Sequence, residues 1–143
     1  MNNIINIIDN IDYFKNCNEG TKIILDNKIT FYKYSSKHLL NKLCLINLTN
    51  IKAYNKALSK LFNYKYLNPY CLNNITLIQI GNINNYNTIW INYNNIKIFK
   101  PIKENKTKIV FYSNNKLIVN KKINYFKKQI DKIEDVKRYL CKL

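Results

Sequence analysis

The spacing of apolar residues changes several times along this chain, and each change marks an element. Residues 1–18 alternate asparagine with isoleucine and aspartate and read as a loose or helical lead-in. The stretch from Lys22 to Lys33 predicts a hairpin, because β-branched and aromatic residues flank Asp26-Asn27, a pair that tolerates the left-handed conformations of a tight turn. Ser35 or Ser36 can cap a helix by accepting an orphan backbone N–H, and Leu39, Leu40, Leu43 and Ile46 then recur at helical spacing. Residues 50–66 carry two patterns at once. Ile51, Tyr54, Leu58, Leu61 and Phe62 suit a helix, the run from Leu61 to Tyr66 suits a strand, and Pro69 ends either.

From Ile75 the period changes to two. Ile75, Leu77 and Ile80 precede Gly81, followed by Thr88 to Ile91 and then Ile96 to Phe99, which predicts strands joined by asparagine-rich turns. Pro101 and a loop over 103–106 interrupt the sheet before a further strand at Lys108 to Tyr112. Ser113 or Asn114 is placed to cap a last helix, with Leu117, Ile118, Ile123 (or Asn124), Phe126 and Ile130 on its inner stripe. Lys121, Lys122, Lys127 and Lys128 fall largely outside that stripe, and the chain closes on a short basic and aromatic tail from Asp135.

Composition adds a core and a charge. With 47% apolar residues in 143 the chain can bury a real interior, and it has no apolar run of membrane-spanning length. The opening residues show neither a basic, small-residue-terminated signal pattern nor an arginine-rich transit pattern. Basic residues outnumber acidic ones 24 to 8, and no carboxylate lies between Asp26 and Glu104, where eleven lysines fall. Such a surface repels itself unless a polyanion supplies the counter-charge. Asparagine, isoleucine, lysine and tyrosine dominate while glycine, proline, alanine and arginine are scarce, which is the imprint of an A/T-rich gene. Cys17, Cys44, Cys71 and Cys141 are too scattered for a zinc signature, so free thiols are expected, and His38 reads as a surface or packing residue.

Catalysis finds little support. The acid-free centre offers no carboxylate pair, no Ser-His-Asp or Cys-His set has supporting spacing, and Gly20 and Gly81 stand alone, so no phosphate-cradling loop exists. A non-enzymatic protein needing no cofactor, metal or small-molecule substrate is expected. Lysine ammoniums suit phosphate contacts, and twelve tyrosines offer stacking faces, of which Tyr139 beside Lys137 and Arg138 is the one placed nearest RNA.

The order of motifs from residue 38 onward resembles the sixth large-subunit ribosomal protein family of the bacterial type, chiefly its C-terminal domain. The matching residues are Leu39-Leu40-Asn41-Lys42-Leu43, Asn63-Tyr64-Lys65, the strand from Asn74 to Gly81, and Ile96-Lys97-Ile98-Phe99-Lys100-Pro101. Thr107-Lys108-Ile109, Lys116 to Val119 and the closing stretch from Glu134 to Lys142 follow in order. The family's glycines are mostly replaced, and its N-terminal domain is represented only by residues 20–34. The resemblance implies strand over roughly 54–66, a small mostly antiparallel sheet packed on two helices in an α+β domain over 36–143, and a reduced hairpin region over 1–35. It also implies a structural constituent of the large ribosomal subunit that packs on rRNA near the translation-factor site, beside neighbouring ribosomal proteins and away from membranes. Its carried-over contacts are Lys137, Arg138, Tyr139 and Lys142, to which composition adds Lys121, Lys122, Lys127 and Lys128. With the A/T bias, an organelle ribosome is expected, in a mitochondrion or a plastid-like organelle such as an apicoplast. The alternative is a nucleic-acid-binding or host-interaction protein of an A/T-rich virus.

Overall fold

Asn27 and Asn114 sit at positive φ, 59° and 75°, and each turns a tight hairpin. Asparagine reaches this region more readily than other side-chain-bearing residues, so in a chain with two glycines it does glycine's work. The computed structural model describes residues 2–142, and these form an α+β fold of four helices and two antiparallel sheets. In chain order the elements are α1 (Asn2–Ile7), β1 (Ile11–Cys17), β2 (Gly20–Leu25), β3 (Lys28–Tyr32), α2 (Ser36–Ile46), α3 (Ile51–Phe62), β4 (Tyr70–Cys71), β5 (Thr76–Ile80), β6 (Ile89–Asn92), β7 (Ile96–Ile102), β8 (Lys106–Phe111), β9 (Lys116–Val119) and α4 (Ile123–Cys141).

The larger sheet runs β3-β2-β1-β6-β5-β4, so strands from residues 11–32 and 70–92 share it through the β1–β6 ladder, where Phe14 faces Trp90. Both faces are covered. On one, Ile11, Phe14, Ile23, Leu77 and Trp90 pack against α1 and α2 through Ile4, Leu39, Leu40 and Leu43. On the other, Ile78 and Ile91 meet the β7-β8-β9 sheet and α4 through Ile109, Phe111, Val119, Phe126, Ile133 and Val136. Phe14 and Trp90 stack with centroids 6.3 Å apart, and cutting either back to alanine would cost about 3–5 kcal/mol in lost transfer energy and cavity formation. No helix among the described residues is long and apolar enough to cross a membrane.

The predicted hairpin over 22–33, the helix after Ser35 and the strands from residue 76 to 111 are all present. Ser35 caps α2 by accepting the His38 backbone N–H at 3.2 Å. Four expectations fail. The lead-in is helical only to residue 10, and Ile11–Cys17 is a central strand. A bulge between Ile11 and Tyr13 brings Ile11 and Phe14 to one face, which breaks the simple alternation.

The strand implied over 54–66 is instead helix α3 to Phe62. Asn50 caps it by accepting the Ala53 N–H at 2.8 Å, and Asn63, at φ 60°, ends it in the left-handed region. The helix expected from Ser113 or Asn114 begins only at Ile123. Residues 116–119 are strand β9, because Asn114 turns the chain back and the Phe111 N–H donates to Asn115 O at 2.9 Å. The basic tail likewise does not exist as a tail: Asp135 to Cys141 are the last two turns of α4.

Candidate nucleic-acid interface

Cross-strand pairing fixes what the smaller sheet shows to solvent. Phe99, Ile109 and Leu117 form one row, and Pro101, Thr107 and Val119 the next. Ile109, Thr107 and Val119 are buried, so these rows face the core. The opposite face therefore carries the rows Ile98–Val110–Lys116, Lys100–Lys108–Ile118 and Ile102–Lys106. Four lysines thus share one small surface with β-branched apolar residues set between them. Ile98 and Ile118 are about half exposed, at 51% and 56%.

Lys100 lies directly opposite Lys108. Residues so paired have Cβ atoms about 5 Å apart, and like charges there oppose sheet formation. Among the described residues, the one carboxylate in ion-pair contact with these lysines is Glu104 in the β7–β8 turn, 3.8 Å from Lys106, an exposed pair that offsets little. The strands hold this arrangement against its own repulsion because their inner faces are apolar and the β8–β9 turn is tied down. Asp12, 2% exposed, accepts the Ser113 hydroxyl at 2.5 Å and the Asn115 amide at 2.8 Å, and that amide also donates to Leu25 O at 2.9 Å.

A second basic line runs along α3. Lys52, Lys56 and Lys60 occupy positions i, i+4 and i+8 on its exposed side, with the exposed Ala53 and Ala57 alongside. The inner side is bolted to strand β4. The Tyr54 hydroxyl donates to Pro69 O at 2.9 Å and accepts the Cys71 N–H at 2.8 Å, and Asn55 Nδ2 donates to the Tyr70 hydroxyl at 2.8 Å. Burial pushes the Tyr70 hydroxyl up to about 12 and the Cys71 thiol to about 11, so both are neutral anchors.

The eight residues singled out from the sequence are dispersed or engaged. Lys121 precedes α4, with its ammonium 4.9 Å from the Tyr125 ring and its carbonyl accepting the Thr107 hydroxyl. Lys122 is the exposed N-cap residue, and Lys127 and Lys128 are exposed on the first half of α4. Lys137 reaches Asn94 Oδ1 at 3.4 Å and lies 5.8 Å from the Tyr93 ring. Arg138 pairs with Asp135 at 3.4 Å. Tyr139 is half-buried, edge-on to Phe62 at 5.6 Å, so it is a packing residue, while Lys142 is exposed just past the helix. Asp131, Glu134 and Asp135 lie on the same helix, so α4 sets three carboxylates among its five basic residues, whereas the body of α3 has none.

Sequence reasoning missed the sheet face although its signal was present. Lysines alternate with apolar residues on both sides of the 103–105 turn, whose Glu104 is the single acid between Asp26 and Asp131. His38 is exposed, its Nδ1 2.8 Å from the Tyr32 hydroxyl and its ring 4.4 Å from that of Tyr34. All four cysteines are free, Cys44 and Cys71 buried and Cys141 exposed.

Fold and surface together define an α+β protein with one strongly basic sheet face and one basic helix face. Among known protein families the chain matches the ComK protein over residues 5–142, and it belongs to that family. No curated protein and no solved structure matches it. This overturns the ribosomal resemblance: the family match spans nearly the whole chain and no match to the ribosomal family accompanies it. ComK proteins are DNA-binding competence transcription factors. The expected role in the large subunit, its rRNA and ribosomal-protein partners, and the association with translation in an organelle all fall with the resemblance. Two motifs on which it rested lie in elements of the wrong kind: Asn63-Tyr64-Lys65 ends a helix, and Lys116 to Val119 is a strand.

Proposed function

We propose that the protein is a non-enzymatic regulator of transcription that holds duplex DNA against the outer face of β7-β8-β9. The observation that carries this reading is the directly opposed pair Lys100 and Lys108 in a four-lysine face with one ion pair, Lys106 to Glu104, among the described residues. Phosphates complete that face: each ammonium neutralises a phosphate and releases counterions, which drives association. Ile98, Val110 and Ile118 supply apolar contact between the lysines, and sheet faces are known to lie against DNA grooves. Membership in a family of DNA-binding transcription factors supports the choice of DNA over other polyanions.

The test is fluorescence anisotropy with a labelled duplex of about 25 base pairs across a salt series. Four phosphate contacts from this face predict a contribution of about 3.6 to the slope of log affinity against log salt, about 0.9 for each. Replacing Lys100, Lys106, Lys108 and Lys116 by glutamine is expected to remove most of that contribution. Equal binding by the variant, or tighter binding of wild type to RNA of the same length, overturns the reading.

A further inference from the structure

We infer that the α3 line Lys52-Lys56-Lys60 is a second, sequence-independent contact to the DNA backbone, so that the protein grips its duplex at two separate surfaces. The inference rests on the DNA-binding reading but concerns a surface that the sheet face does not include. Helix geometry puts successive members about 6 Å apart, making a straight row about 12 Å long that spans between three and four base-pair steps of roughly 3.4 Å. Like charges at i and i+4 oppose the helix that carries them, and none of the three has a carboxylate partner among the described residues. A partner outside the chain therefore supplies the counter-charge.

Two further features select a phosphate backbone as that partner. The residues alongside the row include Ala53 and Ala57, whose short side chains let the helix come close to a ridge. The one carboxamide that could read a base edge from the body of this helix, Asn55, is turned inward, donating to Ile51 O and the Tyr70 hydroxyl and accepting from Asn68. What remains on the outer side is ammonium and methyl groups, which position a duplex without reading its sequence. The row is also rigidly held, because Tyr54 and Asn55 fasten α3 along the β4 edge of the large sheet.

The two basic surfaces are not one patch. α4 lies between them, with Phe126 against Phe99 of β7 on one flank and Tyr64 donating to Asp135 at 2.6 Å on the other. DNA that touches both must pass around α4 or be offered as two segments. Asp131, Glu134 and Asp135 place carboxylates on the middle and C-terminal turns of α4, which agrees with the backbone skirting that part of it.

The experiment is the same salt series with a variant carrying Lys52→Gln, Lys56→Gln and Lys60→Gln, beside the four-lysine sheet variant. Glutamine keeps length and helix propensity, so the triple variant folds as wild type does, checked by circular dichroism. The expected result is a slope shallower by about 2.7, from about 0.9 for each lysine, with affinity at low salt down roughly tenfold or more on every duplex regardless of sequence. A hydroxyl-radical footprint should lose flanking protection and keep its centre. An unchanged slope and footprint in the triple variant, while the sheet variant loses binding, overturns the inference and leaves the sheet as the sole interface. Absence of DNA binding by the wild-type protein overturns both.

Discussion

Lys100 and Lys108 face each other across the β7–β8 ladder, two cations held side by side by a fold whose inner strand faces are apolar. The pair sets stability against binding. Lys108→Glu would replace a repulsive neighbour of Lys100 with an attractive one, and the free protein should gain about 0.2–1 kcal/mol in urea denaturation. The same change should weaken duplex binding by more than the neutral Lys108→Gln does. A variant that loses stability as well as binding would mean that the two lysines do not repel in the free protein.

Asp12 is the internal brace of that face. Buried at 2% exposure, it accepts from Ser113 and Asn115, residues 101 and 103 positions away. Asp12→Ala removes the acceptor of Ser113 and leaves the Asn115 amide with Leu25 O alone, and should cost about 2–4 kcal/mol, against about 1 for Ser113→Ala. Both act through one network, so the double variant should lose less than the sum of the single losses, by at least about 0.5 kcal/mol. Additive losses would show that Asp12 stabilises the fold by some route other than this turn.

How far the sequence was legible follows from where local and distant constraints agree. The hairpin at 22–33 could be read because Asp26-Asn27 combine turn chemistry with flanking β-branched residues, and both act locally. β1 could not, because Asp12 breaks its apolar pattern and finds its partners a hundred residues later. α3 was obscured by strand formers that follow it: Tyr64 and Tyr66 lie in the loop, where the Tyr64 hydroxyl bonds Asp135 and the Lys132 ammonium donates to Tyr66 O. β9 was misread because Leu117 and Ile118 sit close to helical spacing from Ile123 and Phe126, and only the turn at Asn114 separates them. The cationic, acid-free centre was plain in the sequence. The face that displays it was not, because Lys100 and Lys108 become neighbours only through the β7–β8 register.

Leu48 offers a stabilising change in the short link between α2 and α3. It adopts φ 62° and is 96% exposed, so its side chain makes almost no packing contribution and bears the steric cost of a left-handed backbone. Leu48→Gly removes that cost at the position after the α2 C-cap, where glycine is favoured. The loss of chain entropy that glycine brings is smaller than the strain relieved, so a net gain of about 0.5–1 kcal/mol is expected. A drop in melting temperature would show that the Leu48 conformation is not strained.

The cysteines differ in a way that solution chemistry reads directly. Burial pushes the thiols of Cys44 and Cys71 up to about 11 from an ordinary value near 9, whereas Cys141 is exposed in the last turn of α4. In the native protein at pH 8, iodoacetamide should modify Cys141 well before Cys44 or Cys71, since the thiolate is the reactive form. The raised values also carry a sign for stability. The unfolded chain gives up these protons from about pH 9 and the folded chain only near pH 11, so the unfolded state binds fewer protons in that window and stability falls as pH rises through it. Each thiol accounts for about 2–3 kcal/mol of that loss at the upper end. Cys44→Ala should weaken the fold somewhat at pH 8 through the small cavity it leaves, yet flatten the decline between pH 9 and 11, read from urea midpoints at the two ends. A decline just as steep in the variant, or native Cys44 alkylated as fast as Cys141, would show that this thiol is not held in the interior.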